Sequence, residues 1–151
     1  MTPEITVTDT IPIHLRLMAD AMQEESRIIA THFGITPHKG LWQNYRQSLI
    51  CKSVFIQNDI CAIFGLLGGV FGEAARPWIA MTPETEKYPM RVAFSFKSEL
   101  KKMATMFPVL EDYIDEDNEK AIRFMALMGF KISKNKIQVG EINMVQAERR
   151  S

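Results

Sequence analysis

The sequence predicts a mixed α/β fold, one sheet with helices on both faces. Three observations carry that prediction. Short runs rich in Val, Ile, Phe and Trp recur along the chain, each bounded by turn residues. Between them lie longer stretches whose apolar residues repeat at helical spacing. The two kinds alternate instead of segregating, which points to a sheet packed against helices, not to a bundle or a sandwich. The 151 residues, 46% hydrophobic and 24% charged, suit one folded domain over 1–151 and exclude a disordered chain.

The elements follow in order. Ile5 to Ile11 alternates Ile5 and Val7 with Thr6 and Thr8, a short strand closed by Pro12. Ile13 to Phe33 carries a stripe at Leu15, Met18, Met22, Ile29 and Phe33, a helix ended by Gly34. Lys39 to Leu49 reads as a second, shorter helix, with Leu41, Tyr45 and Leu49 four residues apart. Val54–Gln57 and Ile60–Leu67 read as a hairpin turning at Asn58-Asp59. Glycines 65, 68, 69 and 72 mark a bend, and Pro77–Met81 is the next strand, left through Thr82–Thr85. Tyr88 to Phe107 is the clearest helix, with Val92, Phe96, Leu100, Met103 and Phe107 on one stripe. Pro89 suits its first turn and Pro108 ends it. Val109–Ile114 is a strand. Asn118 caps a helix bearing Ala121, Ile122, Met125 and Met128, which Gly129 terminates. Ile137–Val145 supplies a last strand or two, and residues 147–151 read as a frayed tail.

Composition narrows the function. Eighteen basic residues balance eighteen acidic ones, so the clustered positive charge that phosphate backbones require is missing. Cys51 and Cys61 do not make a disulfide framework and read as reduced thiols. No apolar run reaches membrane-span length, and the polar start is no secretory signal. The ten methionines read as core filler.

Motifs for common chemistries fail on inspection. The stretch Gly65 to Gly72 ends in Gly-Glu where a phosphate loop needs Gly-Lys-Ser/Thr, and a strand follows it, not a helix. The acidic run Glu111 to Asn118, counted from Asp115, places Lys120 and Ala126 where a calcium loop needs Gly and Glu. His14, His32 and His38 share no ligand spacing with a cysteine or carboxylate cluster, so no metal site is expected. Arg91, Lys97, Lys101 and Lys102 form a basic helical face, read as solvated, with an acidic partner as the sharper alternative.

Two stretches carry a resemblance to a known family. Leu110 to Phe130, a strand running into an Asn-led helix that closes on Met-Gly-Phe, resembles the later part of the GNAT N-acyltransferase fold, and the element order is similar to that family's. Residues 60–132 more narrowly resemble a phage-encoded GNAT-like family, which includes a small internal virion protein of short-tailed phages. That likeness rests on Arg76-Pro-Trp-Ile-Ala-Met-Thr82 before a long helix, on Phe107 to Asn118, and on Met128-Gly-Phe130.

The resemblance implies a mixed, mostly antiparallel sheet of six or seven strands in an α/β (α+β) GNAT-like fold. It implies acetyl-CoA as the cofactor of an active member, with Met81, Thr82, Lys87, Arg91 and Asn118 at the binding positions. It places a cleft near Met81, Thr82, Tyr113 and Asn118, with Glu111 or Asp112 as base. This chain departs from the pattern. Where the family has a glycine-rich pyrophosphate loop, Thr82 to Arg91 has no glycine, two prolines without N–H groups, and Glu84 and Glu86. Where many members place a tyrosine acid, this chain has Met125, which cannot donate a proton. The resemblance and its departures together imply a virion or assembly component with a degenerate site and no required cofactor. The alternative is an active acetyl-CoA-dependent N-acetyltransferase acting on an amine. The expected partners are phage virion or assembly proteins, with self-association left open. The expected location is the host cytoplasm during assembly, and then the virion.

Overall fold

The computed structural model describes residues 3–22, 36–68 and 74–150. Seven strands, among the described residues, run in the sheet order β1-β2-β3-β4-β5-β7-β6. The chain divides into two compact units, Met1–Leu67 with Trp78–Val92, and Gly68–Pro77 with Ala93–Ser151.

In the first unit β1 (Ile5–Asp9) runs antiparallel to β2 (Ser48–Ile56), which pairs antiparallel with β3 (Asp59–Gly68). Helix α1 (Pro12–Ala21) and helix α2 (Pro37–Gln47) lie between β1 and β2 in sequence. Leu15 and Met18 of α1 and Leu41 of α2 are buried with Ile60, Ile63 and Ala80. Each of these Leu, Met and Ile side chains contributes about 1.5–3 kcal/mol on leaving water. The second half of β4 (Ala74–Met81) brings Trp78, whose indole N–H donates to Ser48 Oγ at 2.7 Å. Trp78 lies so close over Gly65 that a Cβ there would sit 2.5 Å from Trp78 Nε1 and 2.9 Å from the Ile50 carbonyl. Gly65 is thus needed for close approach.

The second unit holds the first half of β4, most of α3 (Pro89–Ala104), β5 (Val109–Asp115), α4 (Glu119–Leu127), β6 (Lys131–Val139) and β7 (Ile142–Arg150). β5 runs parallel to β4 at Ala74/Val109 and Ala75/Leu110, and antiparallel to β7 along its whole length. Phe96 of α3 meets Phe124 of α4 edge-on, with ring centroids 5.6 Å apart. Gly129 follows α4 at φ 94°, the left-handed conformation that ends a helix.

Several boundaries differ from expectation. The strand expected at Val54–Gln57 begins at Ser48, and the hairpin turns at Gln57-Asn58, with Gln57 at φ 57°. Asp59 pairs with Ile56, so the ladder claims the residue assigned to the turn. Of the expected frayed tail, the described residues are strand: Ala147, Glu148, Arg149 and Arg150 pair with Asp112, Glu111, Leu110 and Val109. A full partner strand satisfies those backbone groups despite the polar side chains. The later part of the first expected helix, with Ile29, Phe33 and Gly34, and the glycines at 69 and 72 lie outside the described residues.

Candidate functional site

The candidate cofactor residues of the first unit are Met81, Thr82, Lys87 and Arg91. β4 ends at Met81, a 3-10 turn spans Pro83–Lys87, and α3 begins at Pro89. A 3-10 turn closes on hydrogen bonds between residues three apart, so its amides bond inside the turn. The Thr85 N–H donates to the Thr82 carbonyl at 3.1 Å and the Tyr88 N–H to the Thr85 carbonyl at 3.3 Å, while the Val92 N–H makes a four-apart bond of α3 to the Tyr88 carbonyl at 3.1 Å. The Thr82 N–H donates to the Cys61 carbonyl at 2.9 Å. The Thr85 hydroxyl, itself buried, donates to the same Thr82 carbonyl at 2.8 Å. Pro83 and Pro89 have no N–H to offer.

The basic side chains are engaged as well. Lys87 Nζ lies 3.0 Å from Glu84 Oε1, and that carboxylate holds the ammonium above its ordinary pKa. The Arg91 guanidinium donates to the Pro3 carbonyl. Cys61 is buried, its carbonyl accepts the Thr82 N–H, and its thiol is pushed up to about 11, chiefly by burial and then by Glu84, which disfavours the thiolate.

The remaining candidates belong to the second unit. Asn118 Oδ1 accepts from the Ala121 N–H at 3.1 Å, so the side chain is the cap of α4. Met125 is buried. Glu111 and Asp112 are neighbours on β5, so their side chains leave opposite faces of the strand. Asp112 shares its face with the buried Leu110 and Ile114. Burial raises its pKa, and Arg76 offsets only part of the rise. Its Oδ1 takes Arg76 Nε at 2.9 Å and the Tyr113 N–H at 2.8 Å. Glu111 Oε2 accepts from Gln146 Nε2 at 3.4 Å. The two carboxylates therefore do not converge. Of the four residues expected around a cleft, Met81 and Thr82 fall in the first unit, Tyr113 and Asn118 in the second.

Sequence reasoning missed one polar cluster. Thr10 Oγ1 lies 2.8 Å from Ser53 Oγ, and Ser53 Oγ lies 2.8 Å from His14 Nδ1. His14 Nδ1 also accepts the Ile11 N–H at 3.2 Å. A backbone N–H can only donate, so Nδ1 is the unprotonated nitrogen. The Ser53 hydroxyl then donates to it and accepts from Thr10. Thr10 and His14 are near each other in sequence, but Ser53 lies 43 and 39 residues from them, and the β1–β2 register brings it there. Among the described residues no group of three or more His, Cys, Asp or Glu side chains is placed to hold a metal ion.

Among the solved structures this chain resembles are several acetyltransferases. One is RimL, a ribosomal L7/L12 alpha-N-protein acetyltransferase in complex with coenzyme A. It is 8% identical, covers 97% of this chain and 93% of its own, and has a TM-score of 0.70. A chimera of the Vibrio cholerae spermidine N-acetyltransferase SpeG with hSSAT is 13% identical over 97% of this chain and 95% of its own, with a TM-score of 0.71. A GNAT-family acetyltransferase from Streptococcus pneumoniae is 9% identical over 97% and 99%, with a TM-score of 0.67. No protein-family model and no curated protein matches. The chain has the GNAT fold, a mixed α/β architecture on a seven-stranded, mostly antiparallel sheet.

RimL is in complex with coenzyme A, a ligand whose pyrophosphate needs backbone N–H groups converging on one point. The turn before α3 does not fit it. Its Thr85 and Tyr88 amides close the turn, its prolines remove two more donors, and Glu84 and Glu86 bring negative charge to the place.

Proposed function

We propose that this GNAT-fold protein works through contacts with other proteins and not by acyl transfer, as a virion or assembly component of a phage. The observation that carries the reading is the turn over Pro83–Lys87, which uses its own amides where an acyl-CoA enzyme offers them to phosphate. The capping of α4 by Asn118 and the burial of Met125 point the same way. The face of α3 supports a contact role. Phe94 is 67% exposed, with Lys97 and Lys101 following on the same side of the helix. The phage setting rests on the resemblance of residues 60–132 alone. Calorimetric titration with acetyl-CoA and with coenzyme A tests the reading. It expects no binding up to millimolar ligand, and micromolar binding overturns it.

A second reading, an acetyl-CoA-dependent N-acetyltransferase, is favoured by the likeness to acetyltransferases along almost the whole chain. In that case Asp112, raised by burial, is the group whose loss abolishes turnover. Acetylation of a panel of amines by the wild-type chain, absent in Asp112→Asn, is the result that reading requires.

A further inference from the structure

Among the described residues the two outer strands of the sheet are β1 and β6, and they are built differently. An outer strand offers unpaired backbone groups to any second strand, and folds commonly blunt it with lysines or bulges. β6 is blunted in both ways. It carries Lys131, Lys134 and Lys136, and it bulges between Ile132 and Lys136 where β7 advances only from Ala147 to Val145. β1 is not blunted. Ile5 to Asp9 pairs with β2 residue for residue, without a shift, and has no lysine, proline or glycine.

The backbone direction along β1 is fixed by its ends. The Glu4 carbonyl accepts from the Gln57 N–H at 2.8 Å, and the Thr10 N–H donates to the Cys51 carbonyl at 3.1 Å. Peptide groups alternate along a strand, so Glu4, Thr6, Thr8 and Thr10 face β2. The N–H and C=O groups of Ile5, Val7 and Asp9 therefore point to the open side.

We infer that β1 is a self-pairing edge, where a second copy of this chain adds its own β1 antiparallel about a two-fold axis at Val7. Only that register overlaps all five residues of both strands. Ile5 then meets Asp9 of the other copy, Val7 meets Val7, and Thr6 meets Thr8. Moving the axis to Thr6 sets Asp9 against Pro3, which has no N–H to give. Moving it to Asp9 sets like charges face to face. At Val7 no charged residue of the strand meets another. The Asp9 carboxylate is already paired, 2.5 Å from Lys52 Nζ. Thr6 and Thr8 are exposed, so the Thr–Thr pairs form without unpacking either copy.

The test uses sedimentation equilibrium of the full chain across micromolar to millimolar concentration, with amide exchange read residue by residue. The wild type is expected to dimerise, and the Ile5, Val7 and Asp9 amides to slow on dimerisation, while those of Thr6 and Thr8 stay protected throughout. The double variant Thr6→Lys, Thr8→Lys puts like charges opposite each other twice and should weaken the dimer about tenfold. The pair Thr6→Lys, Thr8→Glu puts opposite charges there and should restore it. A wild type that stays monomeric at millimolar concentration overturns the inference. So does a dimer that tolerates the double-lysine variant, or one whose Ile5, Val7 and Asp9 amides exchange as in the monomer.

Discussion

Helices α3 and α4 each begin just after a strand, and their first turns are closed by different means. α4 uses a side chain: Asn118 Oδ1 takes the Ala121 N–H. α2 does the same with Thr36, which takes the Lys39 N–H at 3.2 Å. In α1 the acceptor is the ring nitrogen of His14. α3 instead is entered through a backbone turn, Pro83–Lys87, whose closing bonds run from the Thr85 N–H to the Thr82 carbonyl and from the Tyr88 N–H to the Thr85 carbonyl. A side-chain cap leaves a helix start open to exchange, since one rotamer change frees the amide for a ligand. A 3-10 turn frees its amides only by refolding. The family resemblance of the sequence places the cofactor of an active member at the helix start that follows β4, and in this chain a 3-10 turn that bonds its own amides precedes that start.

Three substitutions or conditions sharpen that difference. The largest effect is expected from Thr85→Val, which keeps shape but removes the buried hydroxyl bond to the Thr82 carbonyl. A loss of about 1.5 kcal/mol is expected by denaturant titration, with no gain of coenzyme A binding. Asn118→Ala should cost about 1 kcal/mol, while Asn118→Asp keeps most of the stability because a carboxylate also caps. An unchanged midpoint in Asn118→Ala would show that the residue is not a cap. The smallest effect is a pH dependence from His14. Burial lowers its pKa below the ordinary 6.5, so the fold prefers the neutral ring. Its contribution is full above 6.5 and is lost as pH falls through 6.5 toward the lowered value. His14→Gln should flatten the denaturation midpoint across that window.

Legibility in the sequence followed range. Local signals were sound: the Asn118 cap, the Gly129 stop and the apolar stripe through Phe96, Leu100 and Met103 are set by a few adjacent residues. The start of β2 was hidden because Cys51, Lys52 and Ser53 do not alternate apolar with polar. Ser53 is buried only because Thr10 and His14 meet its hydroxyl there. The end of β7 was hidden for a similar reason. Glu148, Arg149 and Arg150 look like a solvated tail until β5 supplies a partner strand. At the candidate site, the missing glycines and the two prolines were plain in the sequence. The closed turn was not, because five residues carry no periodicity. The separation of Glu111 from Asp112 follows from strand geometry once β5 is known. The burial of Asp112 beside Leu110 and Ile114, and its bond to Arg76 on the next strand, required the packed sheet.

The most direct measurement is a backbone amide spectrum of the chain titrated with acetyl-CoA to millimolar concentration. If the turn before α3 is closed on itself, the amides of Thr85, Tyr88 and Val92 stay where they are, and they exchange slowly with and without ligand. Saturable shifts centred on residues 82–92 would contradict it, because they would show the same amides turning outward to hold a phosphate.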